Sequence, residues 1–191
     1  MPLEGESTRL RAIEQADAAR AYVWINDPAV TEHMAVRYPL SMASEEAWAA
    51  RAAMQNRFPD VSFAIELREN GEHIGNCGLH GVSPEDRDAE LGVMVGTTEQ
   101  WGKGYAFDAL RTLIRFGFRD MNLRRIGLRV DANHPRAIAL YERLGFEHEG
   151  RQRGAHWSRG AAIDFVVMSI LRDGFDARYG ATEEVGDAPR D

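Results

Sequence analysis

The chain has 191 residues, 44% of them hydrophobic, so it is long and apolar enough for one domain with its own core. Its formal net charge of −7 and the lack of a basic tract argue against a nucleic-acid-binding protein. Cys77 is the only cysteine, which excludes an internal disulfide, and no signal peptide or apolar run of membrane-spanning length is present. We therefore expect a cytoplasmic protein that binds neither nucleic acid nor a membrane, as a monomer or homodimer.

The spacing of apolar residues and of turn residues predicts helices and strands within a single domain, residues 1–180. Strands are predicted at residues 8–13, 61–67, 73–79, 89–96 and 125–130, with a final hairpin at residues 146–157 and 161–171. Helices are predicted at residues 14–26, 44–58, 104–120 and 135–144. Residues 181–191 are charged and are predicted to form a disordered, acidic tail.

The most informative segment is a glycine-rich turn between the predicted strand at residues 89–96 and the predicted helix at residues 104–120. It consists of Gln100, Trp101, Gly102, Lys103, Gly104, Tyr105 and Ala106. Glycines let the backbone approach a ligand, and the free N–H groups at a helix start bind phosphate. The lysine lies between the glycines with no Ser or Thr after it, which excludes the GxxxxGK[ST] loop, and the third glycine of a dinucleotide fingerprint is missing. A tight turn without a ligand explains this segment alone equally well.

A second pattern lies downstream, where the predicted strand at residues 125–130 leads to a helix that starts with Pro135 and ends before Gly145. Residues 133–146 read Asn-His-Pro-Arg-Ala-Ile-Ala-Leu-Tyr-Glu-Arg-Leu-Gly-Phe. Together with residues 100–106, this pattern resembles the GNAT superfamily of N-acetyltransferases, which use acetyl-CoA as co-substrate. Residues 8–11 and the sequence around the two glycines look most like its RimJ/RimL-type branch. The resemblance covers nearly the whole chain.

The resemblance implies an α+β fold, arranged as an α/β/α sandwich. The central sheet is expected to be mixed, mostly antiparallel and of about seven strands, with helices on both faces. The fourth and fifth predicted strands, at residues 89–96 and 125–130, are expected to splay apart and to expose main-chain donors between them.

The same resemblance indicates which residues hold acetyl-CoA. The fourth strand is expected to bind the pantetheine arm through its backbone, and an N–H group of Met94 or Val95 to polarise the thioester carbonyl. Asn133 stands one residue earlier than the family asparagine, so Asn133, His134 or neither makes that contact. The full expected set is Val93, Met94, Val95, Gln100, Trp101, Gly102, Lys103, Gly104, Tyr105, Ala106, Asn133, His134 and Ala137.

Two side chains are candidates for the chemistry of acyl transfer, which needs a proton acceptor for the amine and a proton donor for the leaving thiolate. Tyr141 matches the family tyrosine near the CoA sulfur and is the predicted acid, although its helical position also fits a core residue. Glu90, on the strand that leads to the thioester, is the predicted general base, with an outward-facing carboxylate as the alternative. His80, Glu66 and Asp164 are rivals for that role. No metal is expected, because the six histidines show no metal-ligand spacing.

We therefore predict an N-acetyltransferase that moves an acetyl group from acetyl-CoA to a primary amine by direct attack in a ternary complex. The acceptor is a protein N-terminus or a small amine, held between the loop at residues 29–40 and the hairpin around His156 and Trp157. A non-catalytic acyl-CoA-binding domain is the alternative. A nucleotide-phosphate binder is disfavoured, because the metal-binding Ser or Thr of such a loop is missing.

Overall fold

The computed structural model describes residues 2–54 and 58–180. The predicted acidic tail, residues 181–191, lies outside this range, so its disorder stays a prediction. The described residues form eight strands: β1 Leu3–Glu4, β2 Thr8–Ala12, β3 Val61–Leu67, β4 His73–Ser83, β5 Asp88–Val95, β6 Arg125–Asp131, β7 Glu147–Ser158 and β8 Ala161–Leu171. They also form five α-helices: α1 Ala18–Ile25, α2 Met42–Met54, α3 Tyr105–Arg119, α4 Pro135–Leu144 and α5 Arg172–Tyr179. None of these helices is long and apolar enough to cross a membrane.

The strands lie in one sheet in the order β1-β2-β3-β4-β5-β6-β8-β7. Neighbouring strands are antiparallel except β5 and β6, which are parallel. That parallel pairing joins residues 88–90 to residues 125–127 and ends there, although β5 continues to Val95 and β6 to Asp131. The two strands therefore splay apart toward their C-terminal ends, and this confirms the predicted gap in the middle of the sheet.

The main core lies between this sheet and α3. Apolar side chains three or four residues apart place one face of α3 in the core, where Leu113, Ile114 and Phe118 are at most 1% exposed. Gly117 allows a close approach to the sheet, because a Cβ at this position would lie 2.9 Å from the Leu79 side chain. The central helix is thus held close to β4, the strand next to β5.

A smaller apolar cluster lies on the other face of the sheet. Ala64 and Ile65 are neighbours in β3 but belong to different clusters, so the two clusters lie on opposite faces. α1 and α2 supply the helical part of the smaller cluster through Ala18 and Ala49. Helices therefore cover both faces, as predicted, and the α+β fold is confirmed.

Several boundaries differ from the prediction. The helix predicted at residues 14–26 begins as a 3-10 turn, Gln15–Asp17, and α2 begins two residues earlier than predicted, at Met42. The sequence predicts neither β1 nor α5, and the sheet therefore has eight strands rather than about seven. β1 has two residues and α5 buries only Phe175, so neither carries enough apolar positions for a period to show.

Candidate active site

The gap between β5 and β6 is the central feature of the site. β5 stays paired with β4 along this stretch, with residues 93–95 opposite residues 75–77. In a strand paired on one side, every second N–H and C=O group points away from the partner, which here is toward the gap. Every second residue of the stretch Val93, Met94 and Val95 therefore offers main-chain donors and acceptors to an extended amide chain lying in the gap.

The glycine-rich turn follows β5 at the wide end of the gap. Gly102 and Gly104 have φ angles of +78° and +89°, which L side chains rarely adopt. Among the described residues, a Cβ at Gly104 would meet no atom within 4 Å, and one at Gly102 would meet only Arg136 Nη2, at 3.9 Å. The glycines thus keep an open space in front of α3, which begins at Tyr105.

Part of the turn has N–H groups available for an anion. Gln100 and Trp101 donate theirs to carbonyl groups of the same loop. The N–H groups of residues 102–104 meet no acceptor in the part of the chain that the structure describes, and the first turn of a helix leaves its own N–H groups unpaired. Such a cluster of donors at a helix N-terminus is suited to phosphate. The geometry favours residues 102–106 over Gln100 and Trp101 as backbone donors.

Side chains fix the turn in place and add charge. The Trp101 indole Nε1 donates a hydrogen bond to the Val95 carbonyl at 2.8 Å, which ties the turn to the end of β5. Lys103 Nζ donates to Gln100 Oε1 at 2.9 Å. The Arg136 guanidinium, from the first turn of α4, lies 5.8 Å from the centre of the Trp101 ring. Arg136 is a second cation at the turn that the sequence does not indicate, because only the fold brings α4 to it.

The opposite wall of the gap is formed by β6 and the start of α4. The His134 carbonyl accepts the N–H groups of Ala137 and Ile138, so His134 caps the helix. Its ring stacks on His33, with 4.2 Å between ring centroids, and burial followed by this neighbour lowers its pKa. Asn133 is exposed and lines a cavity of about 240 Å³, which His33 also lines. The lowered pKa favours the neutral form of the His134 ring, which is already packed, whereas the Asn133 side chain remains accessible.

Tyr141 lies on α4 with its ring in the main core. The residue is 8% exposed, and its ring meets Phe146 edge-on at 5.7 Å. Burial raises the pKa of its hydroxyl to about 12. The hydroxyl is therefore protonated at any physiological pH, which is the form that a proton donor requires. Tyr141 has the packing of a core residue and the protonation state of an acid.

A cavity of about 470 Å³ opens where β5 and β6 are still paired. Ala89 and Leu91 face α3, so Glu90 between them faces the other side of the sheet, where this cavity lies. Glu90 is about half exposed, and its Oε1 accepts two hydrogen bonds from the Arg129 guanidinium, each 3.2 Å long. His80 lines the same cavity. The predicted base thus lies in an open cavity at the narrow end of the gap.

The other rivals for the role of base are engaged elsewhere. Glu66 Oε2 accepts a hydrogen bond from Arg9 at 2.7 Å. Asp164 accepts hydrogen bonds from the Gly154 N–H and from an arginine of β7, and these lower its pKa. His80, by contrast, shares the cavity with Glu90.

The two segments predicted to hold the acceptor meet around a second cavity, of about 240 Å³. His33 from the loop lines it together with His156 and Phe165 of the β7–β8 hairpin. His33 Nδ1 lies 2.8 Å from Asp131 Oδ2, and His156 Nε2 is buried without a hydrogen-bond partner among the described residues. Within residues 2–54 and 58–180, no group of three His, Cys, Asp or Glu side chains is arranged to hold a metal ion.

Known proteins that are similar to this chain include N-acetyltransferases. A family model described as acetyltransferase (GNAT) domain matches residues 8–147. The uncharacterized N-acetyltransferase p20 of Bacillus licheniformis is 33% identical over 174 residues, which cover 87% of this chain and 94% of p20. The putative ribosomal N-acetyltransferase YdaF of Bacillus subtilis is 31% identical over 106 residues, 56% of this chain and 57% of YdaF.

A solved structure is similar over most of the chain. The spermidine N-acetyltransferase from Vibrio cholerae, in complex with CoA and spermine, superposes with a TM-score of 0.80 at 25% identity and covers 88% of this chain and 98% of its own. The class is therefore clear: the protein is an acyl-CoA-dependent acetyltransferase. Within that class, the chain belongs to the GNAT family.

Proposed function

We propose that the protein transfers the acetyl group of acetyl-CoA to a primary amine by direct attack in a ternary complex. The observation that carries the proposal is the gap between β5 and β6, with the glycine-rich turn at its wide end and the larger cavity at its narrow end. CoA has a pyrophosphate at one end of its pantetheine arm and a thiol at the other, so its site needs an anion-binding end and a reactive end. The gap supplies both.

In this proposal, the N–H groups of residues 102–106 bind the pyrophosphate, and Lys103 and Arg136 add positive charge. The pantetheine arm follows residues 93–95 and contacts Asn133 or His134 and Ala137 on the opposite wall. The donors are mostly main-chain groups, so the site depends on the shape of the backbone more than on particular side chains.

The proposed chemistry uses a backbone donor, a carboxylate and an acid. The N–H group of Met94 or Val95 polarises the thioester carbonyl. Glu90 is the carboxylate that meets the amine, because it lies in the open cavity next to the splay. Tyr141 protonates the leaving thiolate, since its hydroxyl, with a pKa of about 12, still carries its proton.

The acceptor that we propose first is a small amine such as a polyamine. The Vibrio cholerae enzyme that superposes over 88% of this chain is a spermidine N-acetyltransferase with spermine bound. The relative named as a ribosomal acetyltransferase matches over 56% of this chain. A protein N-terminus, the acceptor that the RimJ/RimL-like sequence features suggest, is the second acceptor class.

The proposal is tested by incubating the purified protein with acetyl-CoA and a panel of amines. The panel contains spermidine, spermine and short peptides with free N-termini, and the readouts are CoA release and the mass of the product. We expect CoA release with spermidine or spermine and an acetylated amine as product. Binding of acetyl-CoA without turnover of any amine would instead support the non-catalytic alternative, and absence of binding would overturn the donor site.

A further inference from the structure

We propose that His80, oriented by Asp60, takes the proton from the acceptor amine after Glu90 has bound it. This assignment rests on the proposed function and names a further residue of the same site. It follows from how the ring of His80 is held, from what faces its two nitrogens and from the contacts of Glu90.

The His80 ring lies in a space that two glycines leave open. Gly78 of β4 and Gly92 of β5 are directly opposite each other in the sheet. A Cβ at Gly78 would lie 2.5 Å from the Val61 carbonyl oxygen and 3.0 Å from the ring Nε2, and a Cβ at Gly92 would lie 3.2 Å from the same ring atom. Both distances to the ring are tighter than ordinary contacts, so a side chain at either glycine would displace the ring. The glycine pair holds the imidazole against the β5 backbone, with Nε2 beside Gly92.

The other ring nitrogen faces a carboxylate. His80 Nδ1 lies 3.6 Å from Asp60 Oδ1, and the same oxygen accepts the Gly81 N–H at 3.0 Å. The register of β4 against β5 shifts just after His80, and Gly81 has a φ angle of +59°, so the chain bends where Asp60 meets the ring. A carboxylate at Nδ1 favours the proton on that nitrogen, which leaves Nε2 as the proton acceptor.

Glu90 is suited to bind the amine. It is the direct cross-strand neighbour of His80, and its Oε1 is already bonded to Arg129. Among the described residues, its other oxygen meets no donor and can accept a hydrogen bond from an ammonium group. The other charged groups around the cavity are Asp88 and Arg125, which lie 3.9 Å apart, and Arg125 also pairs with Glu149 at 2.6 Å.

The step balances in protons and electrons. An alkylammonium gives one proton to His80 Nε2 and keeps its electron pair, which forms the bond to the carbonyl carbon. The carbon–sulfur bond breaks, its pair stays on sulfur, and Tyr141 protonates the thiolate. The second proton lost by the nitrogen restores the Tyr141 hydroxyl, and His80 releases the first to solvent through the open cavity. One proton is thus released for each acetyl group transferred.

The test is the pH profile of kcat/KM for His80→Ala, with the best amine of the panel and spermidine tried first. We expect a fall of roughly 100-fold near neutral pH, within the usual range for one acid–base group. Activity should recover at high pH, where the amine is already neutral, and on addition of imidazole, which fits the space left by the ring. Glu90→Gln should mainly raise KM for the amine.

His148→Ala is the matched control, because His148 is as exposed as His80 and likewise pairs with a carboxylate, Glu142, outside the cavity. It should leave the profile unchanged. A second readout, nitrogen NMR of the His80 ring, should show the proton on Nδ1 in the wild type and a weaker preference in Asp60→Asn. An unchanged pH profile in His80→Ala, or a proton on Nε2, would overturn the assignment, whereas an inactive wild type would overturn the proposed function itself.

Discussion

At Tyr141, the ring and the hydroxyl have separate roles that one substitution distinguishes. Tyr141→Phe keeps the ring against Phe146 and removes only the hydroxyl. We expect kcat to fall about 10- to 100-fold, because the thiolate must take its proton from water. The melting temperature and acetyl-CoA binding should stay nearly unchanged. Since burial raises the pKa of the hydroxyl to about 12, the wild-type profile should show no loss of this acid below pH 10.

Tyr179→Phe is the control for that variant. Tyr179 lies on α5, away from the proposed chemistry. Its hydroxyl donates to backbone carbonyl groups at the end of α4. If Tyr141→Phe kept the wild-type kcat, Tyr141 would have a role in the core alone.

The amino-acid sequence predicts the site residues whose identity carries the pattern, but not those that act through tertiary contacts. Gly102 and Gly104 could be predicted because their positive φ angles favour glycine. Arg136 could not, because nothing in the sequence indicates that the start of α4 reaches the glycine-rich turn. The pairing of Glu90 with Arg129 was likewise hidden, since it depends on the register of β5 and β6.

At the element scale, the start of α3 is where acetyl-CoA binding is most easily removed. Gly104→Glu places a side chain and a negative charge in the open space in front of the helix. We expect acetyl-CoA to lose its ability to raise the melting temperature, an effect that follows mass action in the wild type. Thermal denaturation with and without acetyl-CoA measures this.

Gly160→Glu is the matched control, because Gly160 has a positive φ angle too, +78° against +89° at Gly104, and, among the described residues, open space at its Cβ. It carries the same backbone strain at the β7–β8 turn and should keep the acetyl-CoA effect. Retained binding in a folded Gly104→Glu variant would contradict the phosphate-binding role of the turn.

α3 is also held at its buried first turn by Asp108, which joins it to the β1–β2 turn. Its carboxylate accepts the N–H groups of Glu6, Ser7 and Thr8. Burial acts to raise its pKa, but these hydrogen bonds outweigh it and lower the pKa. We expect Asp108→Asn to lower the free energy of unfolding by about 1–3 kcal/mol at neutral pH, because buried donors lose a charged acceptor.

The free energy of unfolding lost in Asp108→Asn should depend on pH in one direction. The folded pKa lies below the unfolded value, so the stabilisation is complete above about pH 4 and disappears as pH falls through the folded pKa. The difference between wild type and variant should therefore shrink in acid. Denaturant unfolding at several pH values measures it, with the exposed Asp120→Asn at the other end of α3 as control. A difference that stays constant into acid would contradict the argument.

Some features of the helices and strands could likewise be predicted from the sequence, and others could not. α3 and α4 could be predicted because each combines an apolar period with a glycine or proline at its end. The splay of β5 from β6 came from the family resemblance, since both strands have ordinary sequences and only their register shows where pairing stops.

At the scale of the whole molecule, charge decides how an acceptor is captured. The chain carries a formal net charge of −7, whereas the larger cavity balances Asp88 and Glu90 against Arg125 and Arg129. Long-range attraction of a cationic amine must therefore come from the overall field, whereas Glu90 binds the amine at short range. Exposed charges are screened over about 8 Å at physiological ionic strength. We expect KM for spermidine to rise with salt, and KM for acetyl-CoA to change less because backbone N–H groups dominate its site. A spermidine KM that is flat from low to high salt would show that the field does not steer the acceptor, and would move a neutral or anionic amine ahead of the polyamines.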